Sequence, residues 1–284
     1  MSDHGIEETD STEATPSWFR MKAVFVHLYT ASGAVLALLM LVAASQGEVV
    51  KALWLMFISL LIDSTDGLLA RRFRVSEALP FFDGALLDNI VDYMTYVFAP
   101  IVLLWSEGYL PDGNAGIVLA SLPLLASSYQ FCRVDAKTDD HFFLGFPSYF
   151  NVVAFYAIVF EPGSGALAAV LVVCSFLVFV PIRYVYPTRT VVFRRLSLTL
   201  TALWLGSYAA ILWQMPDPNP LMLAFSLLYL FYYFGLSLYL SAKMLEARRL
   251  EEQPEGERCQ PGALRLPARS TCRLRIRHLG FWPR

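Results

Sequence analysis

Apolar residues occur along this chain in runs too long for the core of a soluble fold. A run of about twenty, at 1.5 Å per helical residue, matches the thickness of a bilayer. Such runs predict helices near residues 23–45, 50–70, 84–106, 115–132, 146–161, 165–182, 196–214 and 220–243. Only Glu161, Pro162, Gly163 and Ser164 separate the fifth from the sixth, but Pro-Gly is a strong turn signal and the combined run exceeds one span. The expected fold is all-α, a polytopic integral membrane helix bundle of about eight transmembrane helices.

Basic residues in the short loops give that bundle an orientation. Arg20 and Lys22 precede the first helix, and Arg71, Arg72 and Arg74 follow the second. Arg133 and Lys137 follow the fourth; Arg183, Arg189, Arg194 and Arg195 follow the sixth; Lys243, Arg248 and Arg249 follow the eighth. The alternate loops hold only Lys51. Both termini are therefore expected in the cytoplasm.

Composition agrees with the pattern. The chain is 56% hydrophobic and only 16% charged, with a mean hydropathy of +0.50, which excludes an ordinary soluble enzyme. Its net charge of −2 says little, because placement matters more than the sum in membrane proteins. The four cysteines, Cys132, Cys174, Cys259 and Cys272, have no spacing that suggests zinc or a disulfide framework. Residues 1–19 read as a disordered polar leader, with no basic region to mark a signal peptide. Residues 20–250 read as the membrane domain. Residues 251–284 read as a disordered cytoplasmic tail rich in Arg and Pro, with a contact to anionic headgroups as the alternative.

Four aspartates interrupt the apolar pattern. Asp63, Asp66, Gly67 and Ala70 fall on one helical stripe, and Gly84, Asp88 and Asp92 on one stripe of the next helix. Carboxylates at membrane depth are costly unless paired or metal-bound. Asp63 lies about 12 Å along a helix from Arg71, so the cluster is expected near the cytoplasmic interface. Crowded carboxylates must take up protons or cations. Oxygen-only ligands suit Mg²⁺ or Mn²⁺, and a pair of such ions suits displacement at phosphorus. Gly67, Ala70 and Gly84 lack bulk on the same stripes, which would let an anionic headgroup approach, and Arg71 offers donors to phosphate. The plainer reading of the aspartates is a satisfied polar network inside a bundle.

The pattern D-x2-D-G-x2-A-R…G-x3-D-x3-D resembles the signature of the CDP-alcohol phosphatidyltransferases, membrane enzymes that move a phospho group from a CDP-linked donor to an alcohol. Twelve residues separate Arg71 from Gly84, a longer gap than the family usually has, and in this the chain is similar to the phosphatidylcholine synthases of bacteria. Further similarity to that branch lies in His27, Thr30 and Gly33, in the segment from Asp140 to Asn151, and in the eight expected spans.

The resemblance implies a divalent-metal-dependent transferase of the bacterial inner membrane, its site facing the cytoplasm, that condenses CDP-diacylglycerol with choline and releases CMP. It implies Asp63, Asp66 and Asp88 as metal ligands, for Mn²⁺ or Mg²⁺ and a pair of ions. Asp92 would be the general base and a possible further ligand. It implies Asp66, Gly67, Ala70, Arg71 and Gly84 around the CDP moiety. Membrane lipids and a second copy of the chain are the expected partners besides the substrates; nucleic acid is not.

A quaternary ammonium is held by aromatic faces and negative charge, and aromatics make up 14% of the chain. Tyr93, Tyr96, Tyr129, Phe131, Tyr149, Phe150 and Tyr156 stand near expected cytoplasmic ends; Tyr129 and Tyr149 are the foremost choline candidates, followed by Tyr93 and Asn151, with Ser148 behind. His27 suits either a site role or interfacial hydrogen bonding. His141 reads as a solvated loop residue, and Arg133 and Lys137 as topology determinants or attractors of an anionic lipid. Tyr229, Tyr232, Tyr233 and Tyr239 read as packing or lipid-facing. Two rival functions remain open. A cation or proton transporter would also put carboxylates in helices, though with broken helices and an internal repeat. A sibling transferase acting on serine, inositol or glycerol 3-phosphate would need, for a phosphorylated acceptor, a basic pocket that Arg133, Arg183 and Arg189 could build.

Overall fold

The computed structural model describes residues 17–252 except 139, 141, 188, 189 and 191, together with all side chains in that range up to Glu246. The leader up to Pro16, the tail from Gln253 with Cys259 and Cys272, His141 and Arg189 lie outside the described residues. The chain divides after Ser241. Of the second unit only the continuation of the last helix to Glu252 is described.

Every expected span contains a helix. These are α1 (Ser17–Ser45), α2 (Val49–Arg72), a short α3 (Val75–Ala78), α4 (Gly84–Asp92), α5 (Ala99–Ser106), α6 (Asn114–Cys132), α7 (Phe150–Phe160), α8 (Ser164–Leu177), α9 (Arg194–Trp213) and α10 (Pro220–Glu252). A π-helical segment, Tyr93–Phe98, joins α4 to α5 into one rod. The widening falls just ahead of Pro100, whose missing N–H would interrupt an α ladder in any case.

Six rods are long and apolar enough to cross a bilayer: α1, α2, α4 through α5, α6, α9 and α10. Large side chains such as Phe25, Leu38 and Phe231 stay on their outer surface, as expected where lipid is the solvent. This is a multi-pass membrane protein.

The other two apolar helices are shorter than the sequence suggests. α7 has 11 residues and α8 has 14, about 17 and 21 Å of helix against a core of about 30 Å. Their ends are instead extended chain, hydrogen-bonded from Gly145 N to Ile182 O at 2.9 Å and from Phe146 N to Leu177 O at 3.0 Å. Apolar residues there are buried without being helical, Phe146 among them. Two strands not expected from sequence follow from this pairing. β1 (Phe142–Leu144) runs antiparallel to β2 (Arg183–Val185) with Phe143 opposite Tyr184, and Lys137 bridges to Phe143.

α1 is the element against which the site is built. Small residues on it, including Ala23, Ala37 and Ala43, are buried, which lets α2 pack closely. At Gly33 a Cβ would stand 2.5 Å from Val91 Cγ1 on α4, so glycine sets that crossing distance. A Thr30 to Asp66 hydrogen bond of 2.9 Å then fixes α2 against α1.

Candidate active site

The two acidic stripes face one another. Carboxylate oxygens of Asp63, Asp88 and Asp92 lie within 4.8 Å of each other. Three carboxylates this close repel one another unless protons or cations lie among them. Three oxygen donors converging with no nitrogen or sulfur fit a hard divalent cation of the Mg²⁺ or Mn²⁺ kind. Asp66 stands apart from the trio. It is 5% exposed and accepts the hydrogen bond from Thr30, but it lines the same cavity.

Two partners come from outside the stripes. Tyr96, one turn beyond Asp92, donates its phenol to Asp63 at 2.5 Å. Lys137, from the segment that bridges to β1, places Nζ 3.3 Å from Asp88 Oδ2. Burial works against its charge, but Asp88 beside it, with Tyr186 and Asp92, outweighs that and holds the ammonium above its ordinary range. α4 itself starts at Asp83, whose carboxylate caps it by accepting from Ala85 N and Leu86 N at 3.0 Å each. That cap was legible as an aspartate directly before Gly84.

Two of the small residues make room for neighbouring side chains. A Cβ on Gly84 would come within 2.7 Å of His27 Cε1. The bulk missing at Gly84 therefore makes room for a histidine of α1, whose ring also lies 4.3 Å from Phe82. At Gly67 the nearest atom is Arg71 Nη1, 3.2 Å from the Cβ position, so Gly67 makes room for the guanidinium. Ala70, Arg71, Gly67 and Gly84 all line the cavity with the aspartates.

That cavity measures about 1340 Å³. Its lining includes the aspartates, Arg71 and Lys137, and also apolar side chains: Val152 and Phe160 on α7, and Leu167, Leu198 and Leu227 on α8, α9 and α10. Aromatic rings belong to the same lining. Tyr96 and Tyr149 rings are 6.0 Å apart, and Tyr149 and Tyr233 6.2 Å; Tyr186 and Phe143, stacked at 4.5 Å, also line the cavity.

The sequence-derived aromatic candidates divide accordingly. Tyr149 lines the cavity. Tyr129 does not line it: the ring is 48% exposed, packs 5.1 Å from Phe179 and has the Arg133 guanidinium 5.5 Å from its centroid. Tyr93 is directed to α6, its hydroxyl 3.3 Å from Leu124 O. Asn151 is buried and accepts from Val152 N at 2.9 Å, and Ser148 is fully buried. Conversely Tyr229 and Tyr233, read from sequence as packing, line the cavity, while Tyr239 is exposed. One helical stripe of α10 faces inward, and an evenly apolar helix does not reveal which stripe that is.

Arg133 and Arg183 are engaged elsewhere. Arg133 forks onto Asp135 with two contacts of 2.6 Å, and Arg183 pairs with Asp140. The contact with Arg133 lowers the Asp135 carboxyl below its usual range. Neither arginine lines the cavity.

Comparison with known proteins bears on this geometry. Residues 27–181 match the sequence model of a family described as CDP-alcohol phosphatidyltransferase. A phosphatidylcholine synthase of Legionella bozemanae is 41% identical over 206 residues, covering 70% of this chain and 94% of that protein. One from Legionella pneumophila is 42% identical over 224 residues, covering 76% and 88%, and one from Pseudomonas aeruginosa 35% over 224 residues, covering 79% and 94%.

Proposed function

Because this chain belongs to the CDP-alcohol phosphatidyltransferase family, we propose that it is a phosphatidylcholine synthase, transferring the phosphatidyl group of CDP-diacylglycerol to choline. The observation that carries this reading is that one cavity joins three converging carboxylates to an extensive apolar lining. A phosphate-bearing headgroup and two acyl chains need both kinds of lining at once. A cation or proton transporter has no use for the apolar lining.

Asp63, Asp88 and Asp92 hold the divalent metal, with Asp66 as a fourth carboxylate that Thr30 orients. Bound Mg²⁺ or Mn²⁺, as a pair, supplies charge neutralisation at the diphosphate and the departing CMP. Arg71 donates to phosphate oxygens, with Gly67 giving its guanidinium space. Gly67, Ala70, Asp66 and Gly84 border the CDP moiety. Asp92 takes the proton from the choline hydroxyl as its oxygen bonds to the phosphorus that bears diacylglycerol. The bond from that phosphorus to the oxygen of the CMP phosphate breaks, and CMP leaves. Tyr96 keeps Asp63 turned toward Asp92 by its hydrogen bond.

Choline is favoured over phosphorylated acceptors by what lines the cavity. Among the described residues its cations are Arg71, Arg74 and Lys137, the last paired with Asp88, while Arg133 and Arg183 have acidic partners outside it. A trimethylammonium group instead suits the faces of Tyr149 and Tyr233 close to the carboxylates. The site faces the cytoplasm of a bacterial inner membrane, where CDP-diacylglycerol and choline meet, within a membrane domain of residues 20–250 that pairs with a second copy.

The test is CMP release by purified protein in detergent with CDP-diacylglycerol and Mn²⁺ or Mg²⁺, offering choline, serine, inositol and glycerol 3-phosphate separately. Choline-dependent release that disappears in Asp92→Asn is the expected result. Release only with another acceptor overturns the choice of alcohol, and no release with any acceptor from folded protein overturns the transferase.

A further inference from the structure

Lys137 is a cation in an acidic site, and it is delivered there by a part of the chain remote from both acidic stripes. Its backbone bridges to Phe143 at the edge of β1. The next residue is pinned as well, Thr138 N donating to Phe142 O at 2.9 Å and Thr138 Oγ1 to the same oxygen at 3.1 Å. The starting point of the side chain is therefore set by the sheet, which limits the conformational freedom usual in a loop lysine. From there Nζ reaches Asp88 at 3.3 Å, inside the cavity that the four aspartates share. The pair is partly exposed, the lysine side chain at 45% and the aspartate at 27%, and an ion pair so accessible does little for the stability of a fold. The neighbouring Arg133 shows the contrast: it is held by Asp135 and does not line the cavity.

We propose that Lys137 is a phosphate-binding residue of this site, seated by Asp88, which favours the diphosphate of the CDP-linked lipid and at the same time opposes the binding of divalent cations. The inference rests on the transferase reading above. Two features support it. An ammonium 3.3 Å from Asp88 claims an oxygen that a metal would also use and repels any cation among the three carboxylates. It also shares the cavity lining with Arg71, so an ionised diphosphate bound there would meet a second positive group besides that guanidinium. A lysine aimed at choline would instead repel the trimethylammonium group.

Opposite signs make the proposal testable. Lys137→Met keeps the aliphatic stem and removes the charge; Lys137→Arg keeps the charge. Two measurements are made on each variant in detergent: Mn²⁺ affinity by electron paramagnetic resonance without lipid or choline, and KM for CDP-diacylglycerol and for choline separately from CMP release. The expected result for Lys137→Met is Mn²⁺ binding that is roughly threefold or more tighter, a KM for CDP-diacylglycerol raised about tenfold or more, and an unchanged KM for choline. Lys137→Arg stays near wild type in all three. An unchanged KM for CDP-diacylglycerol in Lys137→Met overturns the proposal, as does weakened Mn²⁺ binding together with a rise in both KM values, the behaviour of a purely structural residue. The Mn²⁺ measurement needs no turnover, so it reads Lys137 even where wild-type protein rejects choline and the choice of acceptor falls.

Discussion

Tyr96 donates a hydrogen bond of 2.5 Å to Asp63 across 33 residues of sequence, from the π-helical segment that follows Asp92 to the first residue of the acidic stripe on α2. The contact turns one carboxylate of the trio toward the others. Tyr96→Phe removes that donor and little volume. It should lower kcat about tenfold and destabilise the protein by about 1–2 kcal/mol, read from CMP release and a thermal melt in the same detergent.

Metal removal should abolish activity, and Mg²⁺ or Mn²⁺ should restore it. Because the ion relieves repulsion among Asp63, Asp88 and Asp92, Mn²⁺ at about a hundredfold its Kd should stabilise stripped protein by about 2.7 kcal/mol. A thermal shift titration measures this. Asp63→Asn and Asp88→Asn should lose the shift. Asp66→Asn should retain more of it, because Asp66 lies outside the trio and is held by Thr30.

The two motif glycines should respond unequally to alanine. Gly84→Ala places a methyl 2.7 Å from the His27 ring and should cost about 1–3 kcal/mol, partly relieved when His27→Ala is added. Gly67→Ala meets only the tip of Arg71 at 3.2 Å. It should leave stability within about 1 kcal/mol, since alanine also favours the helix, while raising KM for CDP-diacylglycerol. Melting curves of the two singles and the double variant separate these cases.

Aromatic substitutions should distinguish cavity wall from surface. Tyr149→Leu and Tyr233→Leu should each raise KM for choline about fivefold to thirtyfold, within the range of one cation–π contact, with KM for CDP-diacylglycerol unchanged. Tyr129→Leu, on the exposed ring against Phe179, should change neither. Steady-state kinetics with each substrate varied in turn decide between them.

The amino-acid sequence alone determined the helical membrane character, because hydrophobic runs of bilayer length leave a chain few other ways to satisfy its backbone. It also determined the acidic stripes, since the steps from Asp63 to Asp66 and from Asp88 to Asp92 are helical periods that any α-helix converts into one face. What lies opposite those faces was decided by tertiary structure. Tyr96, Lys137 and Thr30 reach the aspartates from separate elements, and no local period encodes such meetings. The shortening of α7 and α8 had the same origin. Apolar residues such as Phe146 are as well buried in extended chain paired with Leu177 as in a helix, so hydrophobicity did not tell the two apart. Tyr129 and Tyr233 look alike in sequence, each on an apolar helix, yet one is surface and the other cavity wall. That difference depends on how a helix is rotated in the bundle, and rotation is set by packing against neighbours when every face is apolar enough for lipid.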